Sequence, residues 1–168
     1  MKKTSLETLG KEDPFRLIGK EWMLVTAGDI SGYNTMTASW GGMGWLWNKP
    51  VAFIFIRPER FTHDFLETNA QVTLSFYNEE YRQALQICGT KSGRDTDKVA
   101  EAGLTPVELE SGSITFAQAR LTVDCRKLFK SAMHESDFIE KSILDTWYGK
   151  KGGLHDIYVL EIENVYTK

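Results

Sequence analysis

The segment Asn34-Thr-Met-Thr-Ala-Ser-Trp40 puts an amide, three hydroxyls and small side chains on a β-forming stretch, with Gly41, Gly42 and Gly44 just beyond it. A planar, amide-rich heterocycle requires donors and acceptors at its edge and a close approach along its face, and a small-residue backbone offers both. Thr37, Ala38 and Ser39 suit that role. Arg57, Arg60 and Thr62 follow one strand later, while Ser92, Arg94 and Lys98 lie in and beyond a second glycine-containing loop. Guanidinium, ammonium and hydroxyl groups acting together hold a phosphate. The residue types alone leave plainer roles open: strand hydroxyls satisfy local backbone, and each cation can pair with Glu59, Asp64, Asp95 or Asp97 at the surface.

A β-rich frame has to position these groups. Trp22–Ala27 predicts a first strand after an arm of about twenty residues that mixes charge with Pro14 and Gly19. Asn34–Trp40 predicts a second strand running into a permissive glycine loop at Gly41, Gly42 and Gly44. Val51–Arg57, apolar on both alternating faces and bounded by Pro50 and Pro58, predicts a strand packed on each side. Thr62 is placed to cap a short helix carrying Phe65 and Leu66, and Gln71–Tyr77 alternates as a half-buried strand. Glu79–Ile87 has helical character with Gly89 as its stop, Asp95–Ala102 reads as a second short helix ending at Gly103, and Ala119–Cys125 and Asp156–Val165 alternate as strands. Strands interrupted by a few short helices, with no internal repeat, predict a fold that is mainly β with short helices, a closed or partly open barrel, rather than a doubly wound sheet.

Composition narrows the chemistry. A chain of 168 residues with 42% hydrophobic and 26% charged residues can bury a substantial core as one domain, and its net charge of −3 gives no broad attraction to nucleic acid. The longest apolar stretch, Val51–Ile56, is too short to span a bilayer as a helix. The N-terminus lacks the continuous apolar core of a secretory signal, and the only cysteines, Cys88 and Cys125, form no C-x-x-C pattern. A cytoplasmic location with reduced thiols and no membrane is the expectation. His63, His134 and His155 have no metal-ligand spacing, no G-x-S-x-G elbow surrounds a serine, and Cys88 reads as a structural thiol, so no metal and no hydrolase are expected. Gly42-Met-Gly44 lacks the third glycine of a dinucleotide fingerprint, and Gly89–Gly93 lacks the ending of a phosphate-binding P-loop.

Taken together, Asn34–Trp40, Lys49-Pro50, Arg57-Pro-Glu-Arg-Phe-Thr62, Cys88-Gly-Thr-Lys-Ser-Gly-Arg-Asp95 and Asp97-Lys98 resemble the flavin reductase-like family, in particular its flavoredoxin-like branch. The resemblance continues through Gly103-Leu-Thr-Pro106, the Ala119–Cys125 strand and His155-Asp-Ile-Tyr-Val-Leu-Glu-Ile162, and so covers most of the chain after about residue 20. It implies a split β-barrel that binds FMN noncovalently, as a homodimer with flavin sites near the subunit interface. By the same resemblance Asn34, Thr37, Ala38, Ser39 and Trp40 surround the flavin, Arg57, Arg60 and Thr62 lie near its phosphate and ribityl tail, Ser92, Gly93 and Lys98 complete the cradle, and His155 stands near the ring.

The stretch at about 138–154 departs from a minimal barrel. It inserts a helix around Ser142–Tyr148 and the basic, glycine-rich Lys150-Lys-Gly-Gly153, which suits a cover over a site or a simple surface cap. Trp40 is a candidate to border the flavin, whereas Trp45 and Trp47 read as packing or interface surface. The leading functional expectation is an FMN-binding oxidoreductase that passes electrons from a reduced donor, NADH or NADPH among the candidates, to a small-molecule or protein acceptor. A flavin-binding electron carrier without turnover and a barrel that binds another planar ligand such as haem are the alternatives.

Overall fold

A computed structural model describes residues 1–149 and 152–168; the expected basic pair Lys150-Lys151 lies outside the described residues. In chain order the elements are β1 (Lys2–Thr4), α1 (Leu6–Leu9), α2 (Pro14–Arg16), a π-helical turn (Leu17–Glu21), β2 (Met23–Asp29), β3 (Gly32–Ala38), β4 (Gly41–Leu46) and β5 (Lys49–Ile56). There follow α3 (Phe61–Thr68), β6 (Gln71–Phe76), α4 (Arg82–Thr90), α5 (Lys98–Glu101), β7 (Pro106–Glu108), β8 (Ile114–Phe116), β9 (Leu121–Ala132), α6 (Ser142–Trp147) and β10 (Asp156–Thr167). The main sheet is antiparallel in the order β3-β2-β6-β9-β10-β5-β4, with β1 paired to the far end of β10, and β7 and β8 form a separate ribbon.

The two ends of that order are consecutive in the chain. Only Ser39 and Trp40 separate β3 from β4, so Ala38 and Gly41 lie no more than about 11 Å apart. The sheet must curl until its edges approach without pairing, which is a split β-barrel. Alternation along β2 then divides the interior in two. Met23, Val25 and Ala27 face the barrel core with Ile54, Ile56, Leu74, Val123 and Leu160, while Leu24 faces a second cluster with Leu85, Cys88, Leu104 and Phe116. The second cluster anchors α4 and, through it, the loop that follows.

Several local expectations change under tertiary packing. The glycine loop at Gly41, Gly42 and Gly44 is strand β4, because pairing in register with β5 (Gly41 to Ile54, Gly44 to Val51) outweighs the poor strand propensity of glycine. The α3 cap position belongs to Arg60; Thr62 sits inside the first turn, fully buried. Gly89 is within α4, which ends at Thr90; a Cβ there would stand 3.2 Å from the Thr37 Cβ, so its small size serves the approach of α4 to β3. The helix expected at Asp95–Ala102 shortens to α5, capped by Asp97, whose carboxylate accepts from the Ala100 N–H at 3.0 Å, and Gly103 ends it at φ +66°. Strands β9 and β10 run to twelve residues each.

The first twenty residues, read from the sequence as an arm, are docked: Lys2 pairs with Thr167, and Leu9, Leu17 and Ile18 are buried in the main core. Arg120 fixes their far end, donating to both Glu12 oxygens at 2.8 and 3.1 Å and to Glu21 at 2.5 Å. Thr26 and Thr35 bond across β2 and β3 at 2.9 Å, and Thr115 on the β7–β8 ribbon bonds Thr122 of β9 at 2.7 Å, tying the ribbon to the main sheet. Among the described residues no helix is long and apolar enough to cross a membrane.

Candidate functional site

Two adjoining cavities open where the free edge strand β3 meets the start of α3. The smaller, of about 90 Å³, is lined by Glu59, Arg60, Phe61, Thr62, Thr90, Lys91, Ser92 and Lys98. That is roughly the liquid volume of three waters, and its lining sets three cations and three hydroxyls against one carboxylate, Glu59. The larger, of about 330 Å³, is lined by Met36, Arg57, Glu59, Arg60, Gly152 and His155. Arg60 and Glu59 belong to both, so a ligand with a charged end and a planar end can span them.

The small cavity is made by three segments that lock together. Arg60 caps α3 and donates to the Gly89 carbonyl at 2.8 Å, tying α3 to the end of α4. Asn34 on β3 donates its amide to the Thr62 hydroxyl at 2.7 Å. Arg94 lies 4.6 Å over the Phe61 ring and pairs with Asp64 at 2.6 Å, which holds the Lys91–Thr96 loop against the start of α3.

Lys98 is the anomaly. It is only 3% exposed, yet its ammonium meets only the carbonyls of Lys91 at 3.2 Å and Cys88 at 3.4 Å, and among the described residues no carboxylate is within ion-pair distance. Burial pushes its pKa down to about 8, and the charge of Arg60 acts in the same direction. Arg60 is lowered as well, by burial first and then by Arg57. Buried cations are ordinarily paired; here Lys98 and the half-buried Arg60 line one small polar hollow. That donor set fits a phosphate dianion.

The larger cavity ends in aromatic groups. His155 lies 5.2 Å from the Trp40 ring and 5.5 Å from that of Tyr148, and Trp147 meets Trp40 edge-on at 5.3 Å. Arg57 donates to the Trp147 carbonyl at 2.9 Å and lies 5.5 Å over Tyr148, and Gly153 donates to Glu59 at 2.5 Å, so the end of α6 and Gly153 are tied down at this end. Burial pushes His155 down to about 4, reinforced by Arg57 and opposed by Glu59 and Asp156. Met36 supplies an apolar wall, and β3 pairs on one side only, leaving the other edge of its backbone without a strand partner. A planar ring with polar edges fits such a slot.

The structure therefore brings Arg60, Thr62, Ser92 and Lys98 around one hollow, and Arg57, Arg60 and His155, bordered by Trp40, around the other. Asn34 and Gly93 brace the first from behind and face an outer groove with Tyr33 and Asp97. Thr37, Ala38 and Ser39 line neither hollow; the Thr37 hydroxyl donates to the Leu85 carbonyl at 2.5 Å. Sequence reasoning did not single out Met36, Thr90 or Lys91; it read Glu59 only as a surface partner for the cations, and Tyr148 as part of a helical cover. Glu59 between two arginines and Thr90-Lys91 beside Ser92 were the available signals; nothing in the sequence links Tyr148 to His155.

At the free edge of the split barrel, a hollow lined by Arg60, Thr62, Ser92 and Lys98 thus stands beside a slot that ends at His155 and Trp40. Residues 15–168 match the flavin reductase like domain, and the chain belongs to that family. No curated protein matches it. Among solved structures, it is similar to an FMN-binding domain of a flavin reductase-like enzyme from Shewanella baltica OS155, at TM-score 0.70 and 15% identity over 99% of this chain and 76% of that one. It is also similar to the flavoredoxin of Desulfovibrio vulgaris (Miyazaki F), at TM-score 0.68 and 21% identity over 100% and 77% of the respective chains. The FMN-binding protein of Thermus thermophilus, solved with bound 1-cyclohex-2-enone, aligns at TM-score 0.68 and 20% identity over 87% of this chain and 69% of that one. These likenesses establish the split-barrel fold.

Proposed function

We propose that this protein is an FMN-dependent oxidoreductase that takes electrons from a reduced donor, NADH or NADPH, and delivers them to a small-molecule or protein acceptor. The observation that carries this reading is the buried Lys98 ammonium, without a carboxylate, beside Arg60 and the Thr62 and Ser92 hydroxyls. Lys98, Arg60, Thr62 and Ser92 hold the phosphate, Asn34 and Gly93 keep that cradle in shape, and Met36, Arg57, Trp40 and His155 border the ring. When bound, FMN supplies hydride and electron transfer. Arg57 favours negative charge gathering on the neighbouring ring edge, and Trp147 and Tyr148 restrict the entry of water.

The protein acts as a homodimer in this reading, since Trp45 at 66% and Trp47 at 55% exposure, with Phe129 against Trp47, provide an apolar face on the β4–β5 hairpin. Two buried free cysteines suit the cytoplasm. Anaerobic mixing of the purified protein with each nicotinamide, followed by absorbance, tests the function. An oxidised-flavin spectrum that bleaches with NADH or NADPH is expected. A flavin spectrum unchanged by both identifies a carrier that requires a protein donor, and a haem spectrum or a colourless protein that takes up no FMN overturns the reading.

A further inference from the structure

Tyr148, just after α6, and His155, just before β10, are both buried, and the Tyr148 Oη lies 2.9 Å from His155 Nδ1. The backbone of His155 is fixed too, its carbonyl accepting from the Met133 N–H at 3.1 Å. Arg57 and Glu59 approach the imidazole from the segment after β5, Asp156 from β10, and Tyr148 from the end of α6. Burial and Arg57 outweigh the two carboxylates, so the imidazole is neutral at pH 7 and carries one N–H. Which nitrogen holds that proton is set by Tyr148. Burial keeps the phenol protonated, and its single proton has two acceptors in reach: Nδ1 at 2.9 Å and the Met133 thioether at 3.6 Å. A thioether is a weak acceptor and an imidazole nitrogen a strong one. A phenol that donates to Nδ1 leaves the imidazole proton on Nε2; one that donates to the thioether accepts from an Nδ1–H instead. Among the described residues Nε2 has no hydrogen-bond partner, and His155 lines the larger cavity.

We infer that Tyr148 is a positioning residue that locks His155 as an Nε2–H donor facing the larger cavity.

The chain has only three histidines, so the test is long-range proton–nitrogen NMR of the purified protein carrying nitrogen-15 histidine, with His155→Gln to assign the signal. The expected result is an Nε2–H imidazole at pH 7 that does not protonate until well below pH 6. In Tyr148→Phe a mixture of the two tautomers is expected. An Nδ1–H tautomer or an imidazolium at pH 7 in the wild type overturns the proposal, as does an unchanged tautomer in Tyr148→Phe. Loss of the flavin reading would show itself separately, as failure of the protein to take up FMN with the tautomer intact.

Discussion

Replacement of Lys98 by methionine is expected to weaken FMN binding by about 10- to 100-fold while leaving the flavin-free protein as stable as the wild type or more so. Lys98 is 3% exposed and makes only two long bonds to carbonyls, so in the flavin-free protein its charge is desolvated with little return. Methionine fills the same volume without the charge. With a phosphate in the hollow, the ammonium gains charge-assisted hydrogen bonds, each worth about 1.5–3 kcal/mol. The two effects have opposite signs, which separates a ligand-binding lysine from one that merely supports the fold.

The pH dependence follows from the same group. The folded protein releases the Lys98 proton near pH 8, and the unfolded chain near 10.5. Between those values the unfolded chain binds more protons, so the Lys98 contribution to flavin-free stability rises with pH across that window and the burial cost is present in full below it. FMN affinity runs the other way, falling above pH 8 as the ammonium is lost. Fluorescence titration with FMN at pH 7 and pH 9.5, alongside urea unfolding, checks both; an affinity that falls equally in the methionine variant would assign the pH effect to another group.

Gly93→Ala is expected to cost roughly 1–3 kcal/mol of stability and about tenfold in FMN affinity. A Cβ at Gly93 would collide with the Asn34 Oδ1 and stand 3.1 Å from its Cγ and 3.2 Å from the Phe61 ring. Asn34 can yield only by giving up its 2.7 Å bond to Thr62, and both partners are buried. The loop bearing Ser92 would otherwise lift from α3 and widen the hollow. Gly32→Ala is the control: a Cβ there meets nothing within 4 Å, and its effect should stay within about 0.5 kcal/mol. Urea midpoints and FMN titrations of both variants decide the matter.

The strands were legible wherever alternation is set by burial on one face, as in Gln71–Phe76 and in Asp156–Thr167. Strand β4 was not, because Gly41, Gly42 and Gly44 carry no side-chain pattern and owe their conformation to β5. The cation cradle could be listed residue by residue from Arg57 to Lys98, but the sequence could not show that Lys98 lacks an acidic partner: Asp95 and Asp97 stand close in the chain, and α5 takes the ammonium inward, away from both. Likewise the run Asn34–Trp40 looks uniform as a string. Strand alternation and α4 packing then send Asn34 behind Thr62, Thr37 to Leu85 and Met36 to the cavity wall. Tyr148 and His155 meet across the end of α6 and the start of β10, a contact without a local code.

Comparison of FMN with riboflavin, titrated into the flavin-free protein at pH 7, tests most directly whether the cationic hollow is a phosphate site. The two ligands share ring and ribityl chain and differ only in the charged terminus. FMN is expected to bind at least about 100-fold more tightly, as two or more charge-assisted bonds from Lys98 and Arg60 require. Equal affinities would contradict the assignment of Arg60, Thr62, Ser92 and Lys98 as the anchor of the ligand.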